Sequence, residues 1–361
     1  MLILVTGSGG LIGSEAALHW LKKGHQVYGI DNNMRAQFFG PKGDVSEIIS
    51  RLKSFKNYQH FDYDIRVSYK INDLFEKIKP DVIIHTAAQP SHDKAADIPI
   101  LDFEVNANGT LNLLEATRKF CSNSAVFIHM STNKVYGDGP NKVFTHEFEK
   151  RYDFIYNPYH GSHIGYAIVD AVTAEGITEK FPIDNCLHSL FGASKLAADV
   201  MAQEYGKYFG MNVGIFRGGC LTGPQHAGVE LHGFLSYIVK CALDDVPYTI
   251  FGYKGKQVRD QIHCNDVISC FDHFIENPKK GEVYNLGGGK ENAASVLEVI
   301  DLIEELSGKK LNYTQDPENR IGDHICYYTD MSKFQRDYPN WVKKYSLHDI
   351  IKEMIKLRRE K

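Results

Sequence analysis

The stretch from Leu2 to Asp31, LILVTGSGGLIGSEAALHWLKKGHQVYGID, decides the fold of this 361-residue chain. It opens with an apolar run, Leu2–Val5, which has the length and composition of a strand that is buried on both faces. A glycine-rich turn, a helical pattern closed by Gly24 and a second strand, Gln26–Ile30, follow in order. The stretch therefore predicts a strand–helix–strand unit whose second strand ends at Asp31.

The glycine-rich turn after the first strand, TGSGGLIG at positions 6–13, predicts a dinucleotide-binding site. Glycines permit the tight turn and let the backbone approach a pyrophosphate, and the helix N-terminus supplies free N–H groups and a positive dipole end. Asp31, about twenty residues downstream, is placed to accept hydrogen bonds from an adenosine ribose. Many βα turns are rich in glycine, but here the strand, turn, helix, second strand and acid all agree. The cofactor residues predicted in this unit are Gly7, Gly10, Leu11, Ile12, Gly13, Asp31 and Asn32.

Composition and charge are those of a soluble globular protein. The chain has 43% apolar and 24% charged residues and a net charge of −4, which gives no general attraction to nucleic acid or to a membrane. No apolar segment approaches the roughly 20 residues that span a bilayer, and the N-terminus enters a predicted core strand rather than a signal peptide. The seven cysteines are scattered without a CxxC pair. We therefore expect reduced thiols, a cytoplasmic location and no metal site.

Strand and helix patterns alternate along the chain. Strands are predicted at Tyr58–Asp64, Asp81–Thr86 and Ala125–Ser131, and helices at Lys70–Lys79 and Phe103–Phe120. This alternation predicts an α/β fold with a doubly wound parallel sheet, which binds ligands at the carboxyl ends of its strands. Segment 138–188 is rich in Pro, Gly, Tyr and His and lacks a clear period, so we interpret it as a long functional loop over the active site.

Two motifs further along the chain carry a family resemblance. They are STNKVYG at 131–137 and HSLFGASK at 188–195, the second of which opens a predicted helix. Together with TGSGGLIG, HTAAQPS, NANGTLNLLEA and GKQVRDQIHCND, they make the chain resemble the extended short-chain dehydrogenase/reductase family of nucleotide-sugar epimerases and dehydratases over nearly its whole length. Within that family, STNKVYG, HSLFGASKLAAD and GKQVRD look most like the CDP-tyvelose (CDP-paratose) 2-epimerases.

The resemblance implies a Rossmann domain that binds NAD and a smaller C-terminal α/β domain that binds a nucleoside-diphosphate sugar. The implied ranges are 1–217 with 256–287 for the first domain and 218–255 with 288–361 for the second. NAD is favoured over NADP because Asp31 would repel a 2′-phosphate, although Arg35 keeps NADP open as the alternative. A CDP-linked sugar and a homodimer or homotetramer are also implied.

Individual roles follow from the positions that match the family's motifs. Thr132 matches the Ser/Thr that hydrogen-bonds the sugar hydroxyl being oxidised, and Lys195 matches the lysine that binds the nicotinamide ribose. Arg259 matches the arginine that grips the substrate diphosphate, with a surface salt bridge to Asp260 as the alternative. The further cofactor residues are Asp64, Ile65, Ala87, Ala88, Gln89 and Asn106, and the further substrate residues are Gln225 and Arg320.

Position 191 departs from the family, because the catalytic tyrosine expected four residues before Lys195 is Phe191. A phenyl ring has no proton to exchange, so the usual general base is absent. Three interpretations stay open: another residue supplies the base, the chain is an engineered Tyr→Phe trap, or the protein binds its ligands without turnover. The replacements considered, each of which could instead be a packing or solvated side chain, are Tyr156, Tyr159, His160, His163, Tyr166 and His188.

The residues after Thr132 separate two reaction types. Related 4,6-dehydratases place Asp-Glu there, since elimination of water needs a carboxylic acid and a base, whereas this chain has Asn133 and Lys134. The sequence therefore predicts an epimerase that works through a transient keto-sugar. The alternatives are a catalytically silent protein that binds NAD and a nucleotide sugar, and a one-way nucleotide-sugar oxidoreductase.

Overall fold

The computed structural model describes residues 1–155, 170–223, 233–319 and 323–360. The chain forms two compact units, each built from separate segments of sequence. The first unit comprises Met1–Val135, Leu190–Arg217 and Val267–Tyr284, and the second comprises Tyr136–Ser189, Gly218–Asp266 and Asn285–Lys361. The sequence analysis assigns NAD to the first predicted domain and the nucleotide sugar to the second. Both assignments, and the predicted domain ranges, stay predictions.

The strands and helices are numbered in chain order. The strands in the described ranges are β1 (Leu2–Thr6), β2 (Gln26–Ile30), β3 (Tyr58–Phe61), β4 (Val82–His85), β5 (Val126–Thr132), β6 (Thr145–Glu147), β7 (Tyr152–Phe154), β8 (Val172–Thr173), β9 (Gly176–Ile177), β10 (Asn212–Gly218), β11 (Cys220–Thr222), β12 (Tyr248–Phe251), β13 (Val258–His263), β14 (Lys280–Leu286), β15 (Ala293–Ser295), β16 (Tyr313–Asp316) and β17 (Cys326–Tyr327). The α-helices there are α1 (Leu11–Lys22), α2 (Met34–Phe39), α3 (Ser46–Lys53), α4 (Ser68–Ile78), α5 (His92–Asp97), α6 (Pro99–Phe103), α7 (Gly109–Phe120), α8 (Ser189–Phe209), α9 (Phe234–Asp244), α10 (Cys264–Glu276), α11 (Val296–Ser307), α12 (Ser332–Asp337) and α13 (Leu347–Arg359). None of these described helices is long and apolar enough to cross a membrane.

The first unit is built around a seven-stranded parallel sheet in the order β14-β10-β5-β4-β1-β2-β3. β1 lies between β2 and β4, with Leu4 paired to Tyr28 on one side and to Ile83 on the other. Ile3, Leu4 and Val5 are completely buried, as a strand covered on both faces requires. The chain order reverses between β1 and β4, and ligands bind beyond the carboxyl ends of the strands at such a reversal. The predicted doubly wound sheet is confirmed.

The long helix predicted over Phe103–Phe120 is divided in the structure. α6 ends at Phe103, a π-helical turn occupies Glu104–Asn108, and α7 begins at Gly109. Such π-turns are frequent at functional sites. Gly109 lies so close to Ile65 that a Cβ there would be 2.5 Å from the Ile65 Cδ1 atom. The apolar period predicts a helix over this segment but carries no information on where a π-turn interrupts it.

The second unit combines several small sheets with helices. Its central strand, β13, pairs with β11 and β17 in parallel and with β15 in antiparallel fashion. Residues of α9, α11 and α13, including Ile238, Ile300 and Ile351, share one apolar core. α11 begins with a capping box in which the Ser295 hydroxyl accepts from the Glu298 N–H at 3.1 Å. The predicted α/β character of the C-terminal part is therefore confirmed.

The described residues of segment 138–188 belong to the second unit. Its described residues form two short antiparallel pairs, β6 with β7 and β8 with β9. Residues 156–169 lie outside the described ranges. The placement of this segment over an active site stays a prediction.

Candidate active site

The glycine-rich turn joins β1 to α1 without room for side chains. Gly7 has a φ of +70°, and its N–H donates to the Ile30 carbonyl over 2.8 Å. A Cβ at Gly7 would lie 2.7 Å from the Ala87 nitrogen, and a Cβ at Gly13 would lie 2.1 Å from the Gly7 carbonyl oxygen. Both positions therefore require glycine, because Gly7 packs directly against the residues that follow β4 and Gly13 packs against Gly7 itself.

The N-terminus of α1 fits an anionic ligand. Gly10 is its N-cap, and among the described residues no side chain caps this helix and no acid occupies its first turn. The first N–H groups of an α-helix have no partner within the helix, so those of Leu11, Ile12 and Gly13 can bind a phosphate. A Cβ at Gly10 would come within 4 Å only of the Gly7 carbonyl oxygen, at 3.3 Å, among the described atoms outside its chain neighbours. This end of α1 therefore fits the pyrophosphate of NAD.

Asp31 follows β2 at the same edge of the sheet. Its Oδ2 accepts a hydrogen bond from the Gly9 N–H and its Oδ1 accepts one from the Asn33 N–H, both at 2.8 Å. Burial raises the pKa of this carboxyl, although the two backbone N–H groups act against the rise. Each carboxylate oxygen keeps further acceptor capacity, so ribose hydroxyls can bind here as the resemblance implies. The Asn32 side chain accepts from the Met34 N–H at 3.2 Å.

The two residues predicted to flank the adenine are held in different ways. Asp64 forms a bidentate pair with Arg66, whose Nη2 lies 2.6 Å from Oδ2 and whose Nε lies 3.0 Å from Oδ1. Burial opposes ionisation of Asp64, but the hydrogen bonds and charge of Arg66 together lower its pKa. The Ile65 side chain is buried against Gly109 in the core of the first unit. Ile65 thus supports the fold, and its contact with adenine stays a prediction.

A buried chain of hydrogen bonds runs beneath the loop that follows β4. The Ala87 N–H donates to the Thr6 hydroxyl at 3.3 Å, and that hydroxyl lies 2.7 Å from His85 Nδ1. His85 Nε2 lies 2.8 Å from the Thr110 hydroxyl, which donates its own proton to the Asn106 carbonyl. His85 must therefore donate through Nε2 and accept through Nδ1. Burial lowers the pKa of His85 to about 3, which keeps the ring neutral.

Four buried polar side chains connect the same loop to α8. They are Gln89, Asp102, Asn106 and Ser194, each at most 1% exposed. Asn106 accepts from the Gln89 N–H at 2.9 Å and donates to the Ser194 hydroxyl at 3.0 Å. Asp102 accepts from Gln89 Nε2 at 2.8 Å and from the Ser194 hydroxyl at 2.5 Å. Gln89 and Asn106, predicted as cofactor residues, thus form a framework that fixes the residue before Lys195.

Lys195 projects from α8 toward the end of β5. Its side chain is almost fully buried, and Nζ donates to the Met130 carbonyl at 2.8 Å. Burial lowers the pKa of Lys195 to about 8, while the charges of Asp199 and Asp102 act in the opposite direction. Thr132, two residues beyond Met130, accepts from the Lys134 N–H through its hydroxyl at 3.2 Å. Both predicted catalytic side chains therefore lie at the carboxyl end of β5.

Phe191 lies one helical turn before Lys195 and is 9% exposed. Its carbonyl oxygen lies 3.0 Å from the Ser194 hydroxyl oxygen, whose proton is donated to Asp102. Its ring packs on the imidazole of His92, with 6.4 Å between the ring centroids and 56° between the planes. The position that the resemblance assigns to a proton donor thus holds an apolar ring beside a histidine.

Comparison with known proteins identifies the family. Residues 3–287 match the NAD dependent epimerase/dehydratase family. The chain is 32% identical to CDP-paratose 2-epimerase of Salmonella typhi over 361 residues, covering 98% of each protein. The chain belongs to the NAD dependent epimerase/dehydratase family.

Other family members are similar over nearly the whole chain. The dTDP-glucose 4,6-dehydratase of Salmonella typhimurium is 29% identical over 350 residues, covering 93% of this chain and 87% of the relative. The UDP-glucuronic acid 4-epimerase of Bacillus cereus, solved with UDP-glucuronic acid and NAD, is 26% identical with a TM-score of 0.77, covering 100% of this chain and 99% of that one. The predicted family, Rossmann-type fold, enzyme class and NAD cofactor are confirmed.

The second unit of this family member contains Arg259, on β13. Its Nη2 donates to Asp323 Oδ1 at 2.5 Å, and its Nη1 donates to the Val258 carbonyl at 2.7 Å. The ion-pair partner is therefore Asp323, whereas Asp260, the alternative partner from sequence, accepts from the Gly289 N–H at 3.0 Å. Of the predicted replacement bases, His188 is described, with Nε2 3.5 Å from the Cys186 sulfur. The predicted residues outside the described ranges are Tyr156, Tyr159, His160, His163, Tyr166, Gln225 and Arg320.

Sequence reasoning missed two members of the buried network, Asp102 and Ser194. Asp102 precedes Asn106 by four residues, and such helical spacing was a signal that could have found it. Ser194 and Asp102 are 92 positions apart, so no local pattern could have paired them. His92, beside Phe191, was also missed, although it directly follows the HTAAQPS motif.

Proposed function

We propose that this protein epimerises a hydroxyl-bearing carbon of a nucleoside-diphosphate sugar while NAD stays bound. The observation that carries the proposal is the pair Thr132 and Lys195 at the carboxyl end of β5, followed by Asn133 and Lys134 in place of carboxylates. Dehydration across two carbons needs a carboxylic acid and a base, which an amide and an ammonium do not supply. Epimerisation needs only the reversible oxidation of one carbinol carbon.

NAD, when bound, supplies reversible hydride acceptance at that carbon. The residues that would hold it are the first-turn N–H groups of α1 for the pyrophosphate and Asp31 for the adenosine ribose. Lys195 would bind the nicotinamide ribose, and the Thr132 hydroxyl would hydrogen-bond the sugar hydroxyl that loses its proton. The pKa of Lys195, about 8, keeps most of the side chain charged at neutral pH. A buried charge acts strongly because little water screens it.

We further propose that the substrate is CDP-linked, that the protein is a cytoplasmic homodimer or homotetramer, and that Arg259 grips the substrate diphosphate. The 32% identity to a CDP-paratose 2-epimerase supports the CDP preference, since the dehydratase and UDP-glucuronic acid epimerase are 29% and 26% identical.

The cysteines form no disulfide within the described residues, which supports a reducing compartment. A guanidinium suits a diphosphate because it can bind two phosphate oxygens at once.

Phe191 favours a second candidate, a protein that binds NAD and a nucleotide sugar without turnover. Without a replacement base, the sugar hydroxyl would keep its proton and oxidation would not begin. A one-way oxidoreductase is the remaining alternative, and it would release reduced cofactor with each product.

One experiment separates these activities. The NAD-loaded protein is incubated with CDP-paratose, UDP-glucose, UDP-glucuronic acid and dTDP-glucose, and the sugars and the reduced cofactor are measured. The proposal expects an epimer of one sugar and no net reduced cofactor. A keto-deoxy product would indicate a dehydratase, and net reduced NAD would indicate a one-way oxidoreductase. Tight binding of a sugar without any product would indicate the silent binder.

A further inference from the structure

We propose that His92 is the general acid and base of this enzyme, in the role that the family gives to the tyrosine replaced by Phe191. The inference rests on the proposed function, because a base has a role only if a sugar hydroxyl is oxidised. The observation that carries it is the packing of the His92 imidazole on the Phe191 ring.

His92 occupies the correct edge of the sheet. It is the first residue of α5, directly after Ser91, whose hydroxyl caps this helix by accepting from the Lys94 N–H at 3.1 Å. The loop that carries it follows the carboxyl end of β4, where the strand order reverses relative to β1. Ligands of doubly wound sheets bind at this reversal. The position of His92 in the fold is therefore one from which a side chain can reach a ligand.

The loop before His92 is fixed. Gln89, three residues earlier, is fully buried, and its side-chain oxygen accepts from the Ser91 N–H at 2.6 Å. Its amide nitrogen donates to Asp102, which also accepts from Ser194. Ser194 lies on the same turn of α8 as Phe191, with its hydroxyl oxygen 3.0 Å from the Phe191 carbonyl oxygen. One buried network thus holds both the loop that precedes His92 and the turn of α8 that carries Phe191. The positions of the two rings relative to each other are therefore fixed.

The two rings differ in exposure as the roles require. Phe191 is 9% exposed, whereas the His92 side chain is 23% exposed and its Nε2 atom is buried. The ring centroids are 6.4 Å apart, so the imidazole lies next to the position that the family gives to the tyrosine ring. The carboxylate of Asp93 lies 4.0 Å from His92 Nδ1. Imidazole is the side chain most often used for proton transfer near neutral pH.

Three other described histidines of the first unit do not fit the role. His85 and His129 are fully buried within β4 and β5, so neither can contact a sugar hydroxyl. His19 lies on α1 with Nε2 2.6 Å from Asp272, away from the carboxyl edge of the sheet. The alternative for His92 is a packing aromatic that only supports Phe191.

The proposed step conserves atoms and charge. The sugar O–H bond breaks and its proton moves to the imidazole of His92, while a C=O bond forms and the hydride of the same carbinol carbon would pass to the bound NAD. After the keto-sugar presents its other face, the hydride returns to that carbon and the imidazolium gives its proton back to the oxygen. The sugar is first oxidised and then reduced, so no external oxidant or proton is consumed.

A double-mutant cycle tests the assignment on the NAD-loaded protein. His92→Ala and His92→Gln should each lower kcat by about 10²–10⁴-fold, the usual contribution of general acid–base catalysis, with bound NAD unchanged. Phe191→Tyr should raise kcat in both backgrounds by different factors. The factor should be at least about tenfold larger in His92→Ala than in the wild type, because the new hydroxyl would replace the lost imidazole. His19→Gln is the matched control and should retain wild-type kcat.

A second readout does not depend on turnover. In protein labelled with heavy nitrogen in its histidine rings, the His92 resonance is assigned by its loss in His92→Ala. Adding the nucleotide sugar that is turned over should shift this resonance and leave that of His19 in place. An unshifted His92 resonance, or a His92→Ala variant that keeps wild-type kcat, would overturn the assignment while leaving the epimerase proposal intact. A wild type inert on all four sugars would instead contradict the proposed function, and the role of His92 would fall with it.

Discussion

The Ser194 hydroxyl donates a hydrogen bond of 2.5 Å to a carboxylate oxygen of Asp102, 92 positions away in the chain. Ser194 directly precedes Lys195, and Asp102 lies on α6 just before the π-turn that carries Asn106. This contact fixes the start of α8 against the segment between β4 and β5. The position of Lys195 therefore depends on a residue that itself need not touch substrate or cofactor.

Replacing Asp102 should disturb both stability and cofactor binding. Asp102→Ala leaves the donors of Gln89, Asn106 and Ser194 without their acceptor in a buried site, so the free energy of unfolding should fall by about 2–4 kcal/mol. NAD content after purification should fall as well, because Lys195 loses its support. Urea unfolding and chromatography of the released nucleotide measure the two effects. Asp97→Ala, with a side chain 68% exposed, is the control and should change stability by less than about 0.5 kcal/mol.

The same substitution at two adjacent buried histidines should change the free energy of unfolding differently. His85 and His129 are paired in the register of β4 and β5, with their rings 5.4 Å apart. Both ring nitrogens of His85 contact threonine hydroxyls, whereas among the described residues neither nitrogen of His129 has a hydrogen-bond partner. At neutral pH, His85→Leu should destabilise the protein by about 1–3 kcal/mol, and His129→Leu should be neutral or stabilising. Equal losses in both variants, measured by urea unfolding, would contradict this account of the pair.

Stability should also depend on pH through His129. Burial lowers its pKa well below the ordinary value of 6.5, so the unfolded chain binds a proton that the folded chain does not. The free energy of unfolding of the wild type should therefore decrease as the pH falls below 6.5, by up to about 1.4 kcal/mol per pH unit from this group. His129→Leu removes that contribution, and its advantage over the wild type should grow between about pH 6.5 and pH 5.

Asp31 should set the cofactor preference. Asp31→Ala removes a charged acceptor beside the adenosine ribose and should weaken NAD binding about 10–100-fold. The preference for NAD over NADP should become smaller as well. Calorimetry with both dinucleotides measures the change. Asp62→Ala, an exposed carboxylate after β3, is the matched control. A wild type that carries stoichiometric NADP would be incompatible with the assigned role of Asp31.

Arg259 should affect the sugar nucleotide and leave the cofactor unaffected. Arg259→Ala should weaken binding of the nucleotide sugar by about 2–4 kcal/mol, as expected when a desolvated charge pair loses one partner. Bound NAD should stay unchanged, since Arg259 belongs to the second unit and the dinucleotide residues belong to the first. Calorimetry with CDP, UDP, GDP and dTDP measures affinity and ranks the bases. Lys254→Ala is the control, because the Lys254 side chain is 67% exposed. An unaltered affinity in Arg259→Ala would contradict the role in substrate binding and would leave Arg259 a structural role in the ion pair with Asp323.

The sequence was sufficient to predict those parts of the site in which the functional residues lie within one local motif. β1, the glycine-rich turn and Asp31 could be predicted because a buried strand, a turn without side chains and an acid after the second strand follow one another within about thirty residues. Thr132, Lys195 and the substitution at Phe191 could be identified because each lies inside a motif. The same holds for Asn133 and Lys134, which direct the proposal toward epimerisation.

The contacts that complete the site could not be read from local pattern. Asp102 meets Ser194 across 92 positions, and Arg259 meets Asp323 across 64. The contact of His92 with Phe191 depends on how the loop after β4 packs on α8, which no periodicity encodes. The π-turn at Glu104–Asn108 was likewise hidden, because its sequence still has the apolar spacing of a helix.

The most direct test of the central claim is the isotopic outcome of turnover in deuterated water. The NAD-loaded wild type is incubated with CDP-paratose and the other three nucleotide sugars, and the inverted carbon is examined by NMR. Epimerisation with return of the same hydride predicts an epimer that carries protium at the inverted carbon. Deuterium at that carbon would show that the proton was lost by enolisation, and no epimer from any of the sugars would show that the protein is not an epimerase of these substrates.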